Sequence, residues 1–460
     1  MRKSIVNISF FGFLQILIQV LSIGKSFFAA FILSPSQFGF ISSILIPISF
    51  VETIIAFGFK ESIINETDDG GIEKDINTAF SVKLFIVGIL SVVSWLVIFF
   101  LKFEVNKALA IIPFIFLLRA IENPYMVLFE RKLKILKLPF IQSLGILSDV
   151  LFSLILLYLT KDPFFFILGI LIGDLIKSTA SYFITDFRPK FFLSLKSLKK
   201  LFVFSKWIYI NRLFGYLSSQ LDSIFILNLL SLKNLGLYQI SQRIGNVPMI
   251  FSSSYISQIL FPFLSKFKFH NNVFKSKIIV ILDILNNVFL PFFIITALYI
   301  PNFSAYLLGN KWKEIILIAT VLMLTGFMRV FLSSLETIFI SFSLPSKTFK
   351  SNIFRVVFLL IFIYPFYYIF GFVGVSYSYF LSVFGTYIYL LIALNKLFEL
   401  GYNSILPVLK TWILVSLIIL IKFFLIELNQ VIPFLITVFV YLFIFFKIHL
   451  SKVKLILRQL

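Results

Sequence analysis

The 460-residue chain contains no cysteine, and its only histidines are His270 and His449. The first absence excludes disulfides and thiolate metal sites, although it assigns no compartment. The two histidines are far apart and neither belongs to a spaced ligand motif, so neither a metal nor any other cofactor is expected. Charge is scarce: only 13% of residues are Asp, Glu, Lys or Arg, about half the share of a soluble domain. No glycine-rich loop followed by Lys-Ser/Thr is present, which argues against direct ATP drive. No connection between apolar blocks is long enough for an independent soluble domain, and the sequence offers no acid/base constellation, such as a histidine in reach of an acid, outside the membrane. Both points speak against a membrane polymerase or acyltransferase, so no enzyme is expected.

What is abundant is apolar: 60% of residues are hydrophobic and mean hydropathy is +1.04. A bilayer span needs about 20 mostly apolar residues. The apolar run 5–33 is followed by blocks near 38–60, 78–101, 108–130, 138–159, 164–186, 204–230, 235–263, 278–300, 314–342, 353–370, 373–394, 405–426 and 431–449. These blocks lack period-2 alternation, so they predict helices rather than a barrel. The reading is an all-α integral membrane protein with about 14 spans of this length. Internal prolines such as Pro47, Pro113 and Pro365 do not disqualify a span, because neighbouring helices repair the lost bonds. The 63 phenylalanines fit either codon bias or a lipid-facing path, and no function is built on them.

The formal charge of +21 would suggest nucleic acid on a soluble protein. Here the basic residues gather in alternate connections, which the positive-inside rule explains without nucleic acid. One set holds Arg131, Lys132, Lys134, Arg188, Lys190, Lys196, Lys199, Lys200, Lys266, Lys268, Lys347 and Lys350, with Lys452, Lys454 and Arg458 in the tail. The other connections hold few, among them Lys102, Lys161 and Lys311. Both termini are therefore expected in the cytoplasm and the protein in the cytoplasmic (inner) membrane. The first run is too long for a signal peptide and lacks a small-residue cleavage site. The basic, amphipathic stretch near 186–206 is expected to lie along the inner membrane surface.

An internal repeat is visible. Leu33-Ser34-Pro35-Ser36-Gln37-Phe38-Gly39 aligns without a gap with Leu230-Ser231-Leu232-Lys233-Asn234-Leu235-Gly236. Either this is a parallel repeat of six helices, which would place a substrate path between halves, or it reflects the common use of Ser and Gly in tight turns. As a repeat it predicts a lobe at 1–186, a linker at 187–206, a second lobe at 207–396, and two additional helices with a basic tail at 397–460.

These motifs, with the helix count and basic central loop, resemble the polysaccharide flippases of the multidrug/oligosaccharidyl-lipid/polysaccharide exporter superfamily. Leu33–Gly39 is similar to the family's leucine-glycine-proline-x-x-tyrosine-glycine turn, with Ser34 in place of the usual glycine. Ala56-Phe57-Gly58-Phe59 is similar to the end of its second helix, although Phe57 stands where a polar residue is frequent. Asp222–Tyr238 and Leu260-Phe261-Pro262-Phe263-Leu264-Ser265 resemble its seventh and eighth helices. The resemblance implies two six-helix lobes plus two helices. It also implies movement of undecaprenyl-pyrophosphate-linked oligosaccharide repeat units between leaflets, among membrane lipids and with a polysaccharide polymerase as candidate partner. A multidrug antiporter of the same superfamily and a lipid II flippase are the alternatives; the block from Ile405 onward and the interior arginines speak against the first.

Charge within a span is expensive and usually faces a cavity or a partner. Guanidinium groups grip phosphate oxygens bidentately and stay charged when desolvated. For a pyrophosphate cargo, Arg119, Arg212, Arg243 and Arg329 are thus the candidate cavity residues. The alternatives are pairing with helical carboxylates, as the three-residue spacing of Arg119 and Glu122 on one helix face allows, or a place near the interface, as for Arg243 close to the outer end of its span. The repeat sets Lys25 opposite Asp222, either as an ion pair bridging the lobes in one state or as two unrelated snorkelling or cavity-facing side chains. Asp149, Asp174, Asp283 and Glu336 are candidate coupling sites, or else simply hydrogen-bonded locally.

Overall fold

The computed structural model describes residues 2–65, 71–100, 107–131, 137–266, 278, 290–342 and 344–398. Among them every regular element is helical. Seven helices are long and apolar enough to cross a membrane, and Ile16–Ile32 and Ala108–Ile121 add shorter apolar segments. The predicted spans 405–426 and 431–449 lie outside the described residues. The chain divides into two compact units, Met1–Gln239 and Ile240–Leu460.

The first unit holds α1 (Arg2–Ile32), α2 (Pro35–Ile55), α3 (Phe59–Asn65), α4 (Ile72–Phe100), α5 (Lys107–Ile121), α6 (Val127–Arg131), α7 (Lys137–Thr160), α8 (Phe164–Phe183), α9 (Leu195–Leu229) and the start of α10 (Leu232–Lys266). Two predicted spans are broken. The block 38–60 stops at Ile55 and restarts at Phe59, around Gly58 with φ +77°. That backbone state suits glycine, which lacks the Cβ that would clash. The block 108–130 stops at Ile121, and a 3₁₀ turn at Pro124–Met126 precedes α6. There the Asn123 side chain accepts from Tyr125 N at 3.0 Å and donates to Thr185 Oγ1 at 2.7 Å and Phe187 O at 2.9 Å. These bonds occupy backbone groups that a broken helix exposes.

The aligned turns fold alike. Ser34 accepts from Gln37 N at 3.3 Å, and Ser231 accepts from Asn234 N at 3.2 Å, so each serine caps its helix. The following glycines meet reciprocally: a Cβ on Gly39 would lie 1.7 Å from the Leu232 carbonyl oxygen, and one on Gly236 would lie 1.9 Å from that of Pro35. Small residues let membrane helices approach backbone to backbone. In the α7–α8 hairpin, Gly173 does the same against Gly145 O, at 2.6 Å from its would-be Cβ.

The basic connection is only partly a loop. Residues 184–194 are non-helical, and α9 begins at Leu195, inside the predicted linker. The non-helical strap runs along α4: Lys190 N donates to Asn77 Oδ1 at 2.8 Å, Phe192 N to Ser81 Oγ at 2.9 Å and Ser194 N to Thr78 Oγ1 at 3.3 Å. Beneath it Phe59, Ile63, Ile72, Ile76, Val127, Leu128 and Leu201 form an apolar cluster that ties α3, α4, α6 and α9 together. This packing is why α9, which the repeat assigns to the second lobe, belongs to the first compact unit.

The second unit contains the rest of α10, then α11 (Leu290–Leu308), α12 (Ile315–Ser341), α13 (Pro345–Phe370) and α14 (Phe372–Phe398). Helix α12 is its centre, with 72% of its most apolar window buried. Gly326 approaches Gly245 on α10 so closely that a Cβ would meet its carbonyl at 1.9 Å. Gly371, at φ +62°, turns α13 into α14. Ser376, Ser378, Ser382 and Thr386 are buried on α14, and each hydroxyl returns to a carbonyl three or four residues earlier. They therefore leave no unsatisfied donor in a dry interior.

Candidate functional site

The first unit holds an open cavity of about 800 Å³ lined from α2, α3, α4, α5, the 3₁₀ turn, α6, α7, α8 and α9. Its lining includes five basic side chains (Lys60, Lys83, Arg119, Lys177, Arg212) and four acidic ones (Glu52, Glu122, Asp149, Asp174). An interior of this kind is costly within a bilayer unless the charges are paired or face water.

Arg119, near the end of α5, is the hub. Its Nε donates to Asp174 Oδ2 on α8 at 2.6 Å, and Nη1 pairs with Glu52 on α2. Glu52 is 50% exposed and Asp174 14%, so one partner faces the open cavity and the other is packed. The Arg119 carbonyl accepts from Lys83 Nζ at 2.6 Å. This cation sits where α5 ends and its carbonyls lack helical partners. The same device recurs at the α2 break, where Arg212 Nη1 donates to Ala56 O at 2.7 Å and Nη2 pairs with Glu61. Lys177 pairs with Glu122 at 2.9 Å. The local Arg119–Glu122 bond that their spacing allows is not among the described ion pairs; Arg119 reaches α2 and α8, and Glu122, just past the end of α5 at Ile121, reaches α8.

At the cavity wall Asp149 accepts from Lys25 Nζ at 2.6 Å and Ser153 Oγ at 3.1 Å. Lys25 is 4% exposed and its ammonium stands 3.7 Å from the centroid of the Phe166 ring, a cation–π contact. Asp222 is fully buried on α9 and accepts from Tyr238 Oη at 2.6 Å and Ser223 N at 2.7 Å.

Of the four candidate arginines, Arg119 and Arg212 line this cavity. Arg243 and Arg329 belong to the second unit, where Arg329 Nη1 donates to Asn246 Oδ1 at 2.9 Å. Glu336 is there too, within electrostatic reach of Arg355 and Arg329. Asp283 lies outside the described residues. Sequence reasoning passed over Lys60, Lys83 and Arg355. Each sits near the edge of an apolar block and was absorbed into it, although a lysine followed by a long run free of charge, as Lys83 is, was a usable signal.

A profile of the family described as "Polysaccharide biosynthesis protein" matches residues 29–317. The chain is 21% identical to the lipopolysaccharide biosynthesis protein WzxC of Escherichia coli (strain K12) over 70% of this chain and 67% of that one. It is 23% identical to the teichuronic acid biosynthesis protein TuaB of Bacillus subtilis (strain 168) over 62% of this chain and 60% of that one, less than two thirds of the relative's length. Among solved structures, the inward closed conformation of the lipid II flippase MurJ superposes with a TM-score of 0.75 over 95% of this chain and 99% of that one, at 13% identity. An inward-facing multidrug resistance MATE transporter of the MOP superfamily gives 0.61 over 88% and 98%, also at 13% identity. Identities this low speak for the fold alone.

Proposed function

The chain belongs to the polysaccharide biosynthesis protein family, a multi-pass membrane protein with the fold of the MOP transporters, and from that premise we propose that it is a flippase. Its cargo is an undecaprenyl-pyrophosphate-linked oligosaccharide repeat unit, carried across the cytoplasmic membrane for surface polysaccharide synthesis by alternating access. The observation that carries this reading is Arg119, held between Glu52 and Asp174 in a membrane cavity of about 800 Å³. A phosphate oxygen pair offers a guanidinium the same planar, bidentate partner as a carboxylate. A pyrophosphate entering the cavity takes the place of the half-exposed Glu52, while Asp174 keeps Arg119 oriented. Arg212, Lys83 and Lys177 supply further positive charge on the same walls. No bond of the cargo is made or broken, so the task is transport rather than covalent chemistry.

Fourteen spans, two six-helix lobes with two additional helices, and cytoplasmic termini complete the proposal. Arg243 and Arg329 serve the second lobe, and Asp149, Asp174, Asp283 and Glu336 are the candidate coupling sites. A Lys25–Asp222 bridge formed in one state belongs to the same proposal; in the state of this structure Lys25 bonds Asp149 and Asp222 accepts from Tyr238. The lipid II flippase is the second reading, favoured by the likeness to MurJ.

Deletion of the gene in its native host separates these readings. Loss of surface polymer with accumulation of intact lipid-linked repeat, restored by the wild-type gene and not by Arg119→Ala, is the expected result. Accumulation of lipid II instead selects the second reading. Normal polymer and normal precursors, in a strain with no second flippase, overturn both.

A further inference from the structure

The strap and the first turns of α9 form a surface that the cavity does not use. Phe191, Phe192, Leu193 and Leu195 are 75%, 43%, 50% and 76% exposed, and Phe202, Val203 and Trp207 continue the apolar surface along α9. Lys190, Lys196, Lys199 and Lys206 are interleaved with them, and none has a carboxylate within salt-bridge distance among the described residues. Lys200, by contrast, is engaged with Asp75 at 3.1 Å. Leu195, Lys199, Phe202 and Lys206 follow i, i+4, i+7, i+11 and so share one helix face. Arg188 is occupied otherwise, donating to the Thr185 carbonyl at 2.7 Å at the end of α8.

Two features put this surface at the edge of the bilayer. First, α9 has 35 residues, about 52 Å of helix against a hydrocarbon core of about 30 Å, so its basic end overhangs the core. Second, three backbone N–H groups of the non-helical strap are satisfied by α4 side chains, which lets irregular backbone sit beside lipid. Aromatic and aliphatic side chains at this depth enter the acyl boundary, while lysine stems lie along it and lift their ammonium groups to the headgroups. A zwitterionic surface would satisfy the apolar part alone. Four lysines with no carboxylate within salt-bridge distance among the described residues favour an anionic one.

We propose that residues 190–207 form a docking site for anionic phospholipid headgroups, which anchors the strap to one leaflet. The test is lipid-selective quenching of Trp207 in the full chain. Trp95, Trp312 and Trp412 are replaced by Phe, and the protein is reconstituted with brominated phosphatidylglycerol or brominated phosphatidylcholine at equal mole fraction. Association with the anionic lipid is expected to be on the order of tenfold stronger and to fall in 0.5 M salt. It should vanish when Lys190, Lys196, Lys199 and Lys206 are all changed to Gln, with the melting temperature in detergent unchanged. Equal quenching by both lipids, no quenching by either, or an undiminished preference in the Gln variant overturns the proposal. Native mass spectrometry of the unaltered chain released from mixed nanodiscs decides the matter should a variant fail to fold. Phosphatidylglycerol retained over phosphatidylcholine supports the site, and indiscriminate retention overturns it.

Discussion

Arg119 binds two carboxylates of unequal exposure, and that inequality makes it testable. Substitution by Ala removes the only cation within salt-bridge distance of Asp174 among the described residues. Breaking a buried pair on one side costs about 3–5 kcal/mol. With Arg119 itself 21% and Glu52 50% exposed to the open cavity, solvent screening lowers the expected loss to about 1–3 kcal/mol. Thermal unfolding of Arg119→Ala in detergent should show this loss, and Arg119→Ala with Asp174→Asn should recover much of it, since the stranded charge is gone. Translocation should behave differently. The double variant remains inactive, and Arg119→Lys, which keeps the charge but loses the planar fork, retains a fraction on the order of one tenth. Equal recovery of stability and transport in the double variant would mean that Arg119 only holds helices together. Little of this was legible beforehand. Arg119 stood out as a charge in an apolar run, but its partners are 67 and 55 residues away in sequence, and no local spacing rule reaches them.

At the scale of elements, the breaks and close approaches matter more than the helices. The α2–α3 break falls where the family resemblance set the end of the second helix, at Ala56–Phe59, but the apolar block 38–60 ran through it because Ala56-Phe57-Gly58 contains no proline, the usual sign of an interruption. The break depends on Gly58 at φ +77°, with Ser205 Cβ 3.0 Å from where its own Cβ would stand. Gly58→Ala should therefore cost about 1–2 kcal/mol from the strained backbone and should weaken the Arg212 bond to the Ala56 carbonyl. A lowered melting temperature, with a larger loss of transport than the conservative Ala56→Ser variant shows, is the outcome to look for. The repeat was legible as a pattern of Ser and Gly, but what it does was not. Gly39 and Gly236 meet each other's helices through the backbone, and a leucine at either position must push α2 and α10 apart. Gly39→Leu and Gly236→Leu should each destabilise by about 1–3 kcal/mol. The double variant should cost less than the sum of the two, because a contact already opened cannot be opened twice. Strict additivity, measured by melting in detergent, would show that the two glycines do not share one contact.

For the whole molecule, composition settled the class because the bilayer is a stringent solvent. A chain with 60% hydrophobic residues and 13% charged has few ways to hide its backbone other than helices. The packing of α9 was not legible, since the cluster around Leu201 joins residues from four distant segments and no single block shows it. Orientation rests so far on the placement of basic residues, and the missing cysteines make it simple to test. Any introduced thiol is the only one in the chain. Lys161, at φ 57° in the exposed turn between α7 and α8, and Asp186, exposed just beyond α8, stand on opposite ends of a 20-residue helix about 30 Å long. The bias of Lys and Arg places Lys161 outside and Asp186 inside. A membrane-impermeant maleimide should label Lys161→Cys in intact cells and Asp186→Cys only after permeabilisation. The reverse pattern would invert the protein in the membrane and turn the surface at 190–207 toward the opposite leaflet. Labelling of both in intact cells would mean that α8 does not cross the bilayer, and with it the transmembrane path through the cavity that α8 helps to wall would be lost.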